Sequence, residues 1–524
     1  MSMVSKRWLY AAWLVLILGF ASLHALHLGA DFPNHSPWYN DWAKYTDEGW
    51  YGNAAIRAHL FGNWYLSGDF NPAPAVPAWP FLEWLLFSLT GVTLQAARGL
   101  AVAFFFTNLA LTYLLLRVQR PRWTGLLAVT LLVTSPFLYC FSRLAILEPM
   151  LTAVTLTSLN LAVRLDRSRR PVVVSILIGL LFALMMLTKT TAIFLLPALG
   201  WAILVPLRRN LGLMVRCALT AAGTSALSYG LWMMVVVKSG LLPDYRYLFF
   251  VNTYPKPPQI DWPLMSLWWS FHGGLWVDHI LIPLAGLVSV GALIAYRTRF
   301  GRALLTDPVF GASVLAVIGY LLFMTVQNHP QPRYFAVLAF FCFILVAQGV
   351  AGLLDQPDLP RKLGWAAITI AAIAAAVNAA WTISYAVHPE YTFLSASEGI
   401  TRYIDQHPNG KRLLVSISGD QITLATHLPT LCDDFGMQDL STKLYNYQPG
   451  WYAAWNDLDP GTLADIHTHF SLEQVASFHA LDDPERNVLV LFKLHPLPNG
   501  RVRDEWDQNL EVPQPEDKID IPVE

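Results

Sequence analysis

The chain has 524 residues, of which 55% are hydrophobic and 14% charged, with a mean hydropathy of +0.41. That is too apolar for a soluble protein and too polar for lipid-buried helices alone, so a membrane body with a sizeable water-exposed part is expected. A net charge of -1 gives no general attraction to nucleic acid, which excludes that class of partner.

The first apolar run, "WLYAAWLVLILGFASLHALHL", follows Lys6 and Arg7 and is long enough, at about 20 residues, to span a bilayer. It is read as an uncleaved first helix, with a cleaved signal as the minor alternative. A long loop, about residues 29–93, comes next. It holds "YTDEGWYGNAAI", in which the segment from Asp47 reads as a helix of about four turns, and "PFLEWLLFSLTG". The latter is too short to cross, and its Glu83 among Trp and Leu suggests a helix lying at the membrane surface. Further apolar runs are centred on 94–116, 123–141, 147–163, 171–188, 190–206, 212–237, 275–296, 308–326, 334–353 and 363–386. With the first, they predict about 11 spans.

With the N-terminus inside, alternate loops carry Arg117, Arg120 and Arg122; Arg164, Arg167, Arg169 and Arg170; Arg208, Arg209 and Arg216; Arg297, Arg299 and Arg302; and Arg361 with Lys362. Every predicted inside segment is basic, which fixes the orientation by the positive-inside rule. The loop 29–93 and the C-terminal part then lie outside. Past 390, "SASEGITRYIDQH" has helical periodicity, while "KRLLVSIS", "NVLVLFKL" and "SLEQVASFHAL" read as strands. The predicted fold class is a polytopic α-helical membrane protein with a small C-terminal extracytoplasmic α/β domain. Its parts are a transmembrane domain over 1–390, the α/β domain over 391–500 and a Pro-rich, acidic, disordered tail over 501–524. Of the cysteines, Cys140, Cys217 and Cys342 fall in apolar spans and only Cys432 in a polar region, so no zinc spacing or disulfide framework is present.

Five polar places are not explained by a plain membrane body. Asp47 and Tyr51 lie four apart and share a helix face, and Asp47 suits a helix N-terminus by charge and as a cap. Arg143 and Glu148 flank "LAIL" in a short turn. Lys189 sits where two helices meet. His329 and Arg333 open a late helix, and Asp278 with His279 lies inside the end of a span. Each has an ordinary explanation: a cap, an ion pair, an interfacial anchor or a hydrogen-bonded core pair. All five nevertheless fall on one predicted outer face, where charge near hydrocarbon is costly and usually lines a polar cavity. Cations there suit an anionic headgroup such as phosphate. A carboxylate there suits a general base or a ligand for a hard divalent cation.

The order of these motifs resembles the GT-C superfamily of membrane glycosyltransferases that use polyprenyl-phosphate sugars. The branch it is most similar to contains protein O-mannosyltransferases and the lipid A aminoarabinose transferases. The resemblance runs from Asp47, Glu48 and Tyr51 after the first span, through "FGNWYLSGDFNPAPAVPAWPFLEWLL", to Arg143 with Glu148 and Pro149. It continues with Thr188 and Lys189 and ends at Arg333 and Tyr334, covering about residues 1–390. It implies that Asp47 is the catalytic base, with Glu48 in support. It implies that Arg143, Lys189 and Arg333 bind the donor phosphate, and that Tyr51, Glu148 and Tyr334 line the same cavity. The implied partners are a polyprenyl-phosphate sugar donor, a lipid, glycan or protein acceptor, and membrane lipid. The implied location is a bacterial inner membrane, with the N-terminus cytoplasmic. A divalent metal near Asp47 is allowed but not required. Two departures stand out. Glu148 occupies a place where the family commonly has Asp. "VPAWPF" lacks the lysine that the aminoarabinose branch carries before a Pro-Pro pair, which counts against an aminoarabinose transferase.

The implied chemistry is an inverting displacement: a base deprotonates the acceptor while cations stabilise the departing lipid phosphate. The alternatives are another enzyme of lipid-linked glycans, a ligase or polymerase, and a membrane transporter. A transporter would want inverted repeats and charges near mid-membrane, and neither is evident.

Overall fold

The structure is a computed structural model describing residues 3–34, 36–38, 41–248, 281–295, 297–326, 331–355, 361–433, 435–484 and 486–497. Asp278, His279, His329 and the acidic tail 501–524 lie outside the described residues. In chain order the helices are α1 (Met3–His24), α2 (Asp47–Phe61), α3 (Ala78–Thr90), α4 (Leu94–Leu116), α5 (Arg122–Val133), α6 (Pro136–Phe141), α7 (Leu147–Ala162) and α8 (Pro171–Thr188). They continue as α9 (Leu196–Leu207), α10 (Leu211–Lys238), α11 (Leu242–Arg246), α12 (Leu281–Ile294), α13 (Arg299–Leu305), α14 (Pro308–Val326), α15 (Phe335–Asp355) and α16 (Arg361–Val387). The C-terminal helices are α17 (Thr392–Gln406), α18 (Gly419–Thr426), α19 (Leu440–Tyr447) and α20 (Pro460–His467). The strands are β1 (Lys411–Val415), β2 (Thr430–Leu431), β3 (Pro449–Trp455), β4 (Phe470–His479) and β5 (Val488–Pro496).

The chain divides into two compact units. The first comprises Met1–His27, Gly99–Ser239 and Thr253–His388; the second comprises Leu28–Arg98, Gly240–Asn252 and Pro389–Glu524.

The first unit is helical. Among the described residues, 7 stretches of the whole chain are long and apolar enough to cross a membrane, with three shorter apolar helices besides. The run at 123–141, expected as one span, is two helices. Pro136 has no N–H for an intrahelical bond, so the chain restarts at α6, where Ser135 Oγ accepts from Leu138 N at 3.1 Å. Helix α15 is apolar all round and buried from Phe335 to Gly352, as expected for a helix enclosed by others. It packs against α5, α12, α14 and α16. Its one amide, Gln348, donates to Asp307 at 3.1 Å, which also pairs with Arg120 at 3.2 Å. Helix α10, by contrast, exposes Leu219, Leu227 and Leu231, the kind of surface that lipid covers.

The second unit combines the first loop with the C-terminal segment. Its sheet has the order β2-β1-β3-β5-β4; β1 pairs in parallel with β2 and β3, while β5 is antiparallel to β3 and β4. Successive residues point to opposite faces, and both faces are covered. Leu414, Trp451 and Leu491 pack with Ile400 and Ile404 of α17, while Leu413, Val415 and Tyr452 pack with Leu440 and Leu444 of α19. The three expected strands and the expected helix at 395–407 are all present. A buried ion cluster ties the loop to this sheet. Arg57 meets Asp69 at 3.2 Å and Asp420 at 3.0 Å, and Lys443 meets Asp69 at 3.2 Å. All four cysteines are free and buried.

Because Trp451 is fully buried in the core beside α17, we expect Trp451→Ala to cost about 3–5 kcal/mol of stability, read by denaturant unfolding of the second unit's tryptophan fluorescence.

Candidate active site

Helix α2 carries the adjacent carboxylates. It starts at Asp47, after Thr46 in the cap position, and stops at Gly62, whose φ of 73° is a left-handed conformation that glycine adopts without strain. Asp47 therefore occupies the first helical turn, where the helix dipole favours an anion, rather than the cap itself. It is buried, and the Thr46 hydroxyl lies 3.1 Å from its Oδ1.

Glu48 is fully buried and held on both oxygens. Arg98 Nε donates to Oε1 at 2.7 Å and Arg98 NH2 to Oε2 at 2.6 Å, a bidentate pair. Gln421 Nε2 adds a bond to Oε2 at 2.7 Å. Arg98 also donates to the carbonyls of Leu28, at 2.9 Å, and Ala30, at 2.5 Å. Neither Arg98 nor Gln421 was singled out from the sequence. Arg98 carried a usable signal, an ionisable group in the first turns of a span, whereas Gln421 carried none. Tyr51, one turn on from Asp47, is half-buried.

A third carboxyl lies behind this turn. On α3, Trp79, Glu83 and Phe87 recur every four residues and are buried, while Phe81, Trp84, Leu85 and Leu89 form an exposed apolar face. Glu83 abuts α2 at Gly52, where a Cβ would come within 2.4 Å of its Oε2. Burial pushes the Glu83 carboxyl well above the usual range, the Trp79 indole opposes this, and the Glu48 charge adds to it.

The first unit holds the remaining candidates. Lys189, extended at the break after α8, meets Glu148 Oε1 at 2.5 Å, and its ammonium lies 4.7 Å from the centre of the Tyr334 ring. The Arg333 guanidinium lies 5.1 Å from the same ring. Glu148, Lys189, Arg333 and Tyr334 are thus brought together, all buried. Arg143 stands over the Tyr139 ring at 4.5 Å and donates to the carbonyls of Leu26 and His27 at 2.5 and 2.6 Å, just past the end of α1. Asp47, Glu48 and Tyr51 belong to the second unit. Among the described residues, no group of three or more His, Cys, Asp or Glu side chains is placed to hold a metal ion. An apolar cavity of about 800 Å3 between α1, α4 and α5 is lined by residues such as Leu14, Phe106 and Leu126, and by none of the candidates.

A family model for dolichyl-phosphate-mannose-protein mannosyltransferase matches residues 72–236. A search of curated protein sequences gives no match. Among solved structures, ArnT from Cupriavidus metallidurans is similar with a TM-score of 0.60 in its apo state, at 16% identity over 92% of this chain and 98% of that one. The same protein bound to undecaprenyl phosphate gives 0.59, with the same identity and coverage. The archaeal oligosaccharyltransferase AglB from Archaeoglobus fulgidus, in complex with an inhibitory peptide and a dolichol-phosphate, gives 0.52 at 11% identity over 97% and 76%. The resemblance to GT-C membrane glycosyltransferases read from the sequence is borne out, and the chain is a mostly helical membrane protein with a C-terminal sheet.

The buried Glu83 gives stability a definite pH trend. A carboxyl whose folded pKa is raised binds its proton more tightly in the fold, so it stabilises fully at low pH and progressively less as pH rises above the ordinary carboxylate range. Glu83→Gln, which copies the neutral form, should flatten the decline in melting temperature between about pH 5 and pH 8. An unchanged pH slope would show that Glu83 does not titrate this way.

Proposed function

We propose that the chain transfers a sugar from a polyprenyl-phosphate donor to an acceptor on the extracytoplasmic face of the membrane, inverting the anomeric centre. The observation that carries this reading is the buried grouping of Lys189 and Arg333 on Tyr334 with Glu148, in a chain that shares its fold with ArnT. Two buried cations gathered on one aromatic ring are the kind of grouping that receives a phosphate. The undecaprenyl phosphate bound to ArnT and the dolichol-phosphate bound to AglB support a lipid phosphate in that role.

In this reading Asp47 removes a proton from the acceptor hydroxyl or amine. The acceptor attacks the anomeric carbon as its bond to the phosphate oxygen breaks, and the electron pair leaves with the polyprenyl phosphate. Arg143, Lys189 and Arg333 stabilise that charge, while Tyr51, Glu148 and Tyr334 line the cavity. Glu48, bound on both oxygens, holds α2 in place rather than accepting the proton. In this reading the membrane is a bacterial inner membrane, and the basic loops support a cytoplasmic N-terminus with the C-terminal α/β domain outside. A second reading, transfer of a preassembled lipid-linked glycan, is favoured by the fold shared with AglB.

The test is transfer of labelled sugar from a panel of polyprenyl-phosphate sugars, with a lipid-linked oligosaccharide included, to membrane extracts. Asp47→Asn should lower the rate by about 10²–10⁴-fold and Arg333→Ala by about 10²–10³-fold at normal protein levels. Equal transfer by Asp47→Asn and wild type would remove Asp47 as the base. Transfer from the oligosaccharide alone would select the second reading.

A further inference from the structure

The C-terminal sheet sends one helix, α18, directly against α2. The approach is backbone on backbone: a Cβ on Gly49 would lie 2.2 Å from the carbonyl carbon of Asp420 and 2.3 Å from the nitrogen of Gln421. The first three turns of α2 then receive polar contacts from α18. Gln421 is bidentate to the first turn, donating to Glu48 Oε2 at 2.7 Å and accepting from Gly49 N at 3.3 Å. Asp420 takes the next two turns, accepting from Asn53 Nδ2 at 3.1 Å and from Arg57 NH2 at 3.0 Å. Arg57 reaches on to the carbonyl of Thr430, on β2, at 2.8 Å. Gln421 and Asp420 are both buried, so these contacts are dry and directional.

From this geometry we infer that α18 fixes the axial position and rotation of α2, and that Gln421 is a positioning residue for Asp47. The C-terminal domain is then part of the catalytic apparatus rather than an appendage for acceptor capture or support. The inference rests on the reading of Asp47 as the base. The orphan N–H groups in the first turn of α2 need partners outside the helix. Gln421 supplies one such partner and at the same time anchors Glu48, the residue next to Asp47. A base displaced by about 1 Å costs on the order of 10²-fold in rate, so loss of this contact should be felt in turnover.

The test uses the full-length protein in detergent or nanodiscs and compares Gln421→Ala, Asp47→Asn and a control, Leu444→Ala, in the core on the other sheet face. Two readouts are taken. The first, independent of activity, is hydrogen exchange in a peptide covering residues 47–53. The second is the separation of kcat from KM for the lipid donor. In Gln421→Ala, exchange in that peptide should quicken about tenfold or more, and kcat should fall about 10–10²-fold with the donor KM nearly unchanged. Leu444→Ala should lower the melting temperature at least as much, while keeping both the exchange of 47–53 and kcat per folded molecule. Gln421→Asn, which keeps the amide one methylene short, should recover part of the loss.

Unchanged exchange in Gln421→Ala would overturn the inference. So would quickened exchange with full kcat, which would show α2 ordered by α18 without consequence for Asp47. Losses in Gln421→Ala and Leu444→Ala that follow melting temperature alone would reduce Gln421 to a packing residue and also overturn it. Failure of the base itself is distinguishable: it appears as full transfer by Asp47→Asn, whatever Gln421→Ala does.

Discussion

The arrangement of the second unit depends on one interaction, the clasp of Arg98 and Gln421 on Glu48. Two carboxylates side by side at the buried start of a helix need more than the helix can give. The dipole contributes about 0.3–1 kcal/mol to an anion in the first turn. Removing a carboxylate from water costs several kcal/mol even after the protein relaxes. The dipole therefore loses, and the burial of Glu48 is carried by the two-bond guanidinium pair at 2.7 and 2.6 Å. The same guanidinium ties down the carbonyls of Leu28 and Ala30, so the entry of the first loop, the start of α2 and the start of α4 are fixed through one side chain. The arrangement is conditional in both directions: without Glu48, Arg98 would be a buried, unneutralised cation.

In the first unit two cations share one aromatic ring. A cation on an aromatic face gains about 0.5–2 kcal/mol, well short of the cost of burying an ammonium and a guanidinium together. Glu148 answers Lys189 at 2.5 Å, while Tyr334 is shared between Lys189 and Arg333. The extended backbone at Lys189 and the opening of the late helix at Arg333 bring both cations to that ring. Side chains that only needed to reach water would snorkel outward, and these are buried. In the proposed donor site, a phosphate arriving on a lipid would meet both cations at this ring.

The legibility of the chain followed the range of the interactions involved. Apolar runs identify helices because the backbone in lipid must satisfy itself locally, and α4, α8, α10 and α15 fall where their composition places them. Strands β1, β4 and β5 were legible from short apolar or alternating runs, because a buried sheet imposes its period on its own residues. The break at Pro136 was passed over because hydropathy windows average across a single residue. Glu148, Lys189 and Arg333 are legible because charge beside hydrocarbon is conspicuous in a sequence, whereas Tyr334 enters the site through the family resemblance. Arg98 has the same character and was missed, since it was counted only as part of an apolar run. Gln421, Asp420 and Gly49 could not be read at all. Their meaning lies in a contact between segments more than 350 residues apart, and neither segment has a local pattern that announces the other.

Under the proposed reaction, that long-range contact also distinguishes the two neighbouring acids. Asp47 and Glu48 are equivalent by composition, and either could serve as a base in water. Their surroundings separate them, much as environment rather than residue type divides roles between paired carboxylates elsewhere. Glu48 accepts two bonds from the Arg98 guanidinium and a third from the Gln421 amide, so its oxygens are committed to holding the start of α2. Asp47, one residue earlier, has the Thr46 hydroxyl 3.1 Å from its Oδ1. Under the proposed reaction the proton goes to Asp47, and Glu48 serves by holding the start of α2. Exchanging the two residues would conserve charge and composition, but it would put the shorter side chain at Arg98 and the longer one at the base position. The order of the pair in the chain is thus part of the mechanism.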